Sequence, residues 1–430
     1  MNPEEPKTAD QTAAEAIRAL APAETNEIKP LSKYVSDYYE TLKDGAQIEG
    51  LYSGFPILDS NLRGLRQTIV LAGSPKTGKT SFCTQLLTQI ADFRGRKIYP
   101  EIPFKAGKNN EYPNKEVAQK QAVLFYSLEM SKSDITTKLI SQLSGVDYWK
   151  IRLNRSLIEK ARNSNGPEGA PDDFISPDIN RLAKAEEKRA EMVNVYIRDL
   201  NDYPDKEGKS TLDFTKVRAE IDQVKRDNEG AELIVFIDHL NVFPIDKTQY
   251  KDQIEKEGEL IKEFNRIALE KGVTMFLISQ TNKEAMKVTQ EEGANKEGKK
   301  NYDALLSGVK GSVDTVYIAS GIWTLLKTQA EFIDLSPYRK ENEKITARRP
   351  IFVKLLTLVI TERNSAGGVF HLLYFPMEQR FELITKGEID SYLKDKLEMT
   401  EAEINTFWDK KPDHARKTDQ TTKTSKEIKK

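Results

Sequence analysis

Apolar residues along this chain fall in short runs, and stretches of helical period separate them. The run 68–71, Thr68-Ile69-Val70-Leu71, reads as a buried strand, and the segment 81–90 after it places Phe82, Leu86 and Ile90 on one helical face. Further runs at 122–126, 193–197, 233–237, 274–278 and 315–319 predict strands. Phe214, Val217, Ile221 and Val224 mark one intervening helix, and Leu260, Phe264, Ile267 and Leu269 another. Strands alternating with helices predict parallel βαβ units. Near the end, 352–360 and 369–374 flank Asn364-Ser365-Ala366-Gly367-Gly368, which predicts a hairpin. The expected fold is α/β: a mostly parallel central sheet flanked by helices, with an antiparallel hairpin edge.

The polar stretches divide the rest. Residues 1–29 are rich in Ala, Glu, Thr and Pro without a sustained apolar period and predict a disordered tail. Leu31, Tyr34, Val35, Tyr38 and Leu42 recur at helical spacing, so 30–48 reads as a linker helix, packed on its own domain or docked on a neighbouring subunit. The main domain is expected over 49–385, a helical extension over 386–408 and a disordered Lys-rich tail over 409–430. Polar insertions interrupt the core at roughly 94–120, 155–190 and 283–303.

Composition narrows the class. A chain of 430 residues holds two or three average domains, or one large α/β domain with extensions. Net charge of −1 argues against wholesale coating of DNA but leaves room for a local basic channel. Cys83 is the only cysteine, so no intrachain disulfide forms, and an intracellular, cytoplasmic site is expected. The N-terminus lacks the basic and apolar regions of a signal peptide, and no stretch has the length of a membrane span, so no membrane partner is expected.

The chemistry starts at Gly73-Ser74-Pro75-Lys76-Thr77-Gly78-Lys79-Thr80, a complete G-x-x-x-x-G-K-[ST] loop between a strand and a helix. In that setting backbone N–H groups cradle phosphates, Lys79 reaches the β/γ-phosphates and the Thr80 hydroxyl ligates Mg²⁺. Ser81, in the first helical turn, is counted among the nucleotide-binding residues. Asp238 ends the apolar run 233–237 and reads as the second metal-side ligand, the alternative being a turn or cap residue. Glu129 ends another strand, either as a general base facing the γ-phosphate or as an N-cap or surface acid before the helix starting near Ser131. Gln280 ends a third, as a γ-phosphate sensor or a turn residue. His239 reads as a packed or hydrogen-bonded side chain, because His239, His371 and His414 make no zinc-type cluster.

Taken in order, these segments resemble a known family. Gly54-Phe55 with Leu58-Asp59, Leu62 and Gly64-Leu65 precede the phosphate loop. Ser127-Leu128-Glu129-Met130, Asp238-His239-Leu240-Asn241, Ser279-Gln280-Thr281-Asn282, Arg363-Asn364 and the ending 375–382 follow it. Over about 49–385 the chain resembles the C-terminal ATPase domain of DnaB-type hexameric replicative helicases. The resemblance implies a RecA-like P-loop NTPase core that hydrolyses ATP with Mg²⁺ as a homo-oligomeric, hexameric ring on single-stranded DNA, in a bacterial or phage-infected cell. It implies Glu129 as catalytic base, Gln280 as phosphate sensor and Arg363 as a finger acting on the next subunit's nucleotide; the alternative for Arg363 is a surface arginine at a turn.

The chain also departs from the family. Thr361 stands where the family has a basic residue two positions before the finger, and the DNA-loop motif is reduced to Ser307-Gly308-Val309-Lys310-Gly311-Ser312. Lys283, Lys287, Lys296, Lys299, Lys300 and Lys310 are the remaining candidates for DNA phosphates, or else decorate a solvated loop. No globular N-terminal domain is read before the core, so primase and loader partners are not carried over. These departures keep a second reading open: a nucleotide-switched DNA-binding or assembly ATPase that does not unwind.

Overall fold

The computed structural model describes residues 50–62, 64–92, 121–153, 177–204, 210–245, 253–279, 318–327, 333–334, 352–362 and 367–384, with isolated positions between 387 and 405. Contacts divide the chain into units Met1–Gln47 and Ile48–Lys430, and every described residue belongs to the second. The expected tails at 1–29 and 409–430 and the linker helix at 30–48 lie outside the described residues.

The described elements are α1 (Pro56–Leu62), β1 (Thr68–Gly73), α2 (Lys79–Asp92), β2 (Gln121–Ser127), α3 (Lys132–Ser144), α4 (Tyr148–Leu153), α5 (Pro177–Glu191), β3 (Val195–Asp199) and α6 (Phe214–Asp227). They continue as β4 (Glu232–Asp238), α7 (Gln253–Lys271), β5 (Thr274–Ile278), β6 (Gly321–Lys327), β7 (Ile333–Asp334), β8 (Phe352–Glu362), β9 (Gly368–Phe375) and β10 (Arg380–Ile384). The sheet runs β10-β9-β8-β6-β1-β5-β4-β2-β3, with β7 paired to β8. From β6 to β3 every pairing is parallel, whereas β6–β8, β8–β9 and β9–β10 are antiparallel.

The parallel strands read as continuous apolar runs because both of their faces are covered. On one face α1, α2 and α3 enclose a core around Phe82, Leu86, Ile90 and Trp323, all fully buried. Phe82 stacks on Phe55 (5.9 Å between centroids) and meets Phe381 edge-on at 5.4 Å. On the other face α6 and α7 bring Val217, Ile221 and Phe264 onto Tyr126, Val235 and Leu277. Local chemistry sets the helix ends. The Ser131 hydroxyl accepts from the Asp134 N–H at 3.2 Å to open α3, and Gly145, at φ +63°, closes it.

Three expectations are corrected. The strand expected at 315–319 begins instead at Gly321, which pairs with Ile69. Just before it, the Ser320 N–H and hydroxyl both donate to the Thr68 carbonyl at 2.8 and 2.7 Å. The polar insertion expected at 155–190 contains α5, a highly charged helix of low mean hydropathy that buries Leu182, Ala185 and Glu186. Leu269, expected in a core stripe, is exposed, as is Val193 just before β3.

Candidate functional site

Parallel pairing lines up the C-terminal tips of β1, β2, β4 and β5, where open α/β sheets place their ligands. Gly73 ends β1 and the loop to α2 turns tightly, with Lys76 and Gly78 both left-handed at φ +63° and +92°. A side chain at Gly78 would also press on Phe381, whose ring lies 3.0 Å from the added Cβ. Thr77 folds its hydroxyl back to the Ser74 carbonyl at 2.8 Å. Lys79 is nearly buried and donates to the Gly73 and Ser74 carbonyls at 2.8 and 3.0 Å, inside the loop it serves. Burial draws its pKa down, while Asp238 and Glu129 pull it back up.

Asp238 ends β4 and is buried; its register partner on β2 is Ser127. The Thr80 hydroxyl bonds to its carboxylate. Burial pushes the carboxyl up to about 6, against the opposing effects of that hydrogen bond, Lys79 and Lys138. Two hard oxygen donors in contact, on a carboxylate whose charge is inadequately solvated, fit Mg²⁺, which binds one or two protein ligands together with phosphate oxygens and water. Among the described residues no three His, Cys, Asp or Glu side chains gather as an all-protein metal cage. The turn-or-cap alternative for Asp238 does not describe this buried, hydroxyl-bonded position.

Glu129, expected to end a strand, lies two residues beyond β2, which stops at Ser127, and 57% of its side chain is exposed. It is not the cap of α3, since Ser131 is. Its carboxylate Oε2 lies 3.2 Å from Nε2 of His239, which is almost buried. Burial lowers the imidazole's pKa, reinforced by Lys79 and Lys256 and opposed by Glu129. Gln280 and Arg363 lie outside the described residues, as do Lys283, Lys287, Lys296, Lys299, Lys300 and Lys310. Strand β8 ends at Glu362 and β9 begins at Gly368, level with the N-terminal half of β6, at the end of the sheet opposite Gly73.

A second set of side chains at the phosphate loop was not legible in the sequence. The turn between β9 and β10 returns to the loop end of the sheet, and its Gln379 Oε1 accepts from the Ser81 hydroxyl at 2.7 Å and the Lys138 ammonium at 2.6 Å. Lys138 also donates to Ser81 Oγ at 3.1 Å. Gln142 Nε2 donates to the carbonyls of Ser81 and Gln379 at 2.8 and 2.6 Å. Burial draws Lys138 down to about 8, against the attraction of Asp238 and Asp134. Cys83, one turn into α2, is fully buried, and burial raises its thiol well above the usual value.

Fold and site define a P-loop nucleotide-binding protein with a RecA-like core. The family described as the DnaB-like helicase C terminal domain matches residues 50–294, and the chain belongs to that family. The replicative DNA helicase DnaB of Rickettsia bellii (strain RML369-C) is 24% identical over 257 residues, which cover 59% of this chain and 42% of the relative. That of Haemophilus influenzae (strain ATCC 51907 / DSM 11121 / KW20 / Rd) is 24% identical over 249 residues, 57% of this chain and 42% of the relative. The chain thus spans about two fifths of the length of the curated relatives it matches. Among solved structures, one ATPase domain is similar at a TM-score of 0.56 and 19% identity, covering 84% of this chain and 100% of that one. A DnaB-like replicative helicase, solved in a study of its interactions with primase, is similar at a TM-score of 0.53 and 20% identity, covering 86% and 70%.

Proposed function

We propose that this chain is an ATP-dependent DNA helicase of the DnaB type, hydrolysing ATP at the subunit interfaces of a homo-hexameric ring that translocates on single-stranded DNA during replication. Its site of action is the cytoplasm of a bacterial or phage-infected cell. The observation that carries the reading is the gathering of Lys79, Thr80, Asp238 and Glu129 at one end of the sheet in a chain of the DnaB-like family. Membership of a helicase family favours this reading over a switch that binds DNA without unwinding it.

In this mechanism the loop amides and Lys79 bind the β/γ-phosphates, the ammonium exchanging its carbonyl contacts for phosphate oxygens. Thr80 and Asp238 would hold Mg²⁺, which when bound offsets charge on the phosphates. Glu129 takes the proton of the attacking water, and Gln280 registers the γ-phosphate. Arg363 belongs to the neighbouring subunit's site, a role supported by Glu362 and Gly368, the described residues that flank it in sequence, lying at the sheet end away from their own phosphate loop.

Two assays test this. DNA-stimulated ATP hydrolysis with strand displacement on a forked substrate is expected, and hydrolysis without displacement would refute unwinding. For the shared site, Arg363→Ala and Lys79→Ala subunits, each inactive alone, should regain activity when mixed. A co-assembled mixture that stays inactive would refute the ring interface.

A further inference from the structure

We propose that His239 is a positioning residue for Glu129: its Nε2–H holds one carboxylate oxygen so that the other faces the water attacking the γ-phosphate. The inference rests on reading Glu129 as the general base.

Sheet register brings the two residues together. Ser127 pairs with Asp238, and the Leu128 N–H donates to the Asp238 carbonyl at 2.6 Å, so the chains leave β2 and β4 side by side. One residue past Asp238 and two past Ser127, Nε2 and Oε2 meet at 3.2 Å. A carboxylate only accepts hydrogen bonds, so the proposed contact requires the tautomer that carries the hydrogen on Nε2.

The two partners are unequally anchored. His239 has 8% of its side chain exposed and Glu129 has 57%. A long acidic side chain at the surface otherwise samples many rotamers, and ordering it for catalysis costs entropy. The buried ring is a fixed point that removes part of this cost before substrate arrives. Its own seat is fixed as well. The Val242 N–H bonds back to the His239 carbonyl at 3.1 Å, and the buried Lys256 ammonium donates to the Asn241 carbonyl at 3.1 Å, pinning the turn from α7. With Oε2 nearest the ring, Oε1 is left for water, the arrangement a general base needs.

The test uses the full chain, with steady-state ATP hydrolysis measured with and without single-stranded DNA. His239→Phe keeps a ring but has no donor. Its kcat should fall between about 10- and 100-fold, the scale of a misplaced catalytic group. KM for ATP should change by less than about twofold, because the phosphate-binding groups are untouched. His239→Gln, which carries an N–H at similar reach, should recover most of the loss. Adding His239→Phe to Glu129→Gln should cost nothing further, because the ring acts through that carboxylate. A wild-type kcat in His239→Phe, a loss that Gln does not rescue, a loss confined to KM, or a loss additive with Glu129→Gln would each overturn the inference. The two readings fail differently. If Glu129→Gln hydrolyses ATP normally, the general-base reading falls and takes this one with it. If Glu129→Gln is inactive and His239→Phe is normal, only the positioning role falls.

Discussion

Replacing Asp238 by asparagine should make the nucleotide-free protein more stable while abolishing its Mg²⁺-dependent chemistry. The carboxyl is buried, and its pKa stands at about 6 where an ordinary aspartate has 3.8. At about 1.4 kcal/mol per tenfold, that gap corresponds to a penalty of about 3 kcal/mol, carried by the folded state wherever the group is ionised in both states. The sign follows from which state protonates first. As pH falls through about 6, the folded carboxyl takes up a proton while the unfolded one stays ionised down to 3.8, so the penalty fades across that window. Asparagine keeps the shape and can accept the Thr80 hydroxyl bond, but has no charge to desolvate. Denaturant unfolding with EDTA and no nucleotide should therefore favour Asp238→Asn by up to about 3 kcal/mol at pH 7.5 and by much less near pH 4. A variant less stable than wild type at pH 7.5, or an advantage unchanged at pH 4, would refute the reasoning. Retained Mg²⁺-dependent hydrolysis would refute the ligand assignment.

Other outcomes follow from the same site. Lys79→Ala should abolish hydrolysis and weaken nucleotide binding, measured with a fluorescent ATP analogue; near-normal turnover would end the phosphate-loop reading. Lys138, at about 8, is partly neutral in mildly alkaline buffer, and the charge of a bound triphosphate should raise its proton affinity. ATP binding near pH 8 should then take up as much as about half a proton, seen by calorimetry in two buffers of different ionisation enthalpy and lost in Lys138→Met; identical heats would refute it. Neutralising Lys283, Lys287, Lys296, Lys299, Lys300 and Lys310 should flatten the salt dependence of single-strand binding, by somewhat under about one unit of slope per lost contact. An unchanged slope would move the DNA site elsewhere.

What the sequence discloses about this site tracks how local the chemistry is. Phosphate binding needs contiguous backbone at one strand–helix junction, so Gly73 to Thr80 is readable as written. Asp238 stands out because it closes an apolar run, and Glu129 because it follows one closely. Their neighbours are set by register. Nothing near His239 in the chain announces Glu129, because the contact depends on β2 pairing with β4. The Ser81–Gln379 bond spans 298 residues and exists only because the antiparallel edge folds back over α2. Helix α5 is hard to see for another reason: its apolar face is built from few and mostly small residues in a segment that is otherwise highly charged. The start of β6 at Gly321 does not coincide with the apolar run 315–319, because pairing with β1 rather than hydropathy sets a strand's bounds.

The burial of Cys83 has a practical consequence. The chain contains one thiol, and that thiol is packed inside α2 and held protonated. A cysteine introduced at Val193 or Trp149, which are 60% and 57% exposed, would be the sole sulfur open to a maleimide dye. No native residue would have to be removed first. Each copy would then carry one label at a known site, and energy transfer between labelled copies would test the proposed ring directly, reporting subunit number and spacing while the proposed catalytic residues stay intact.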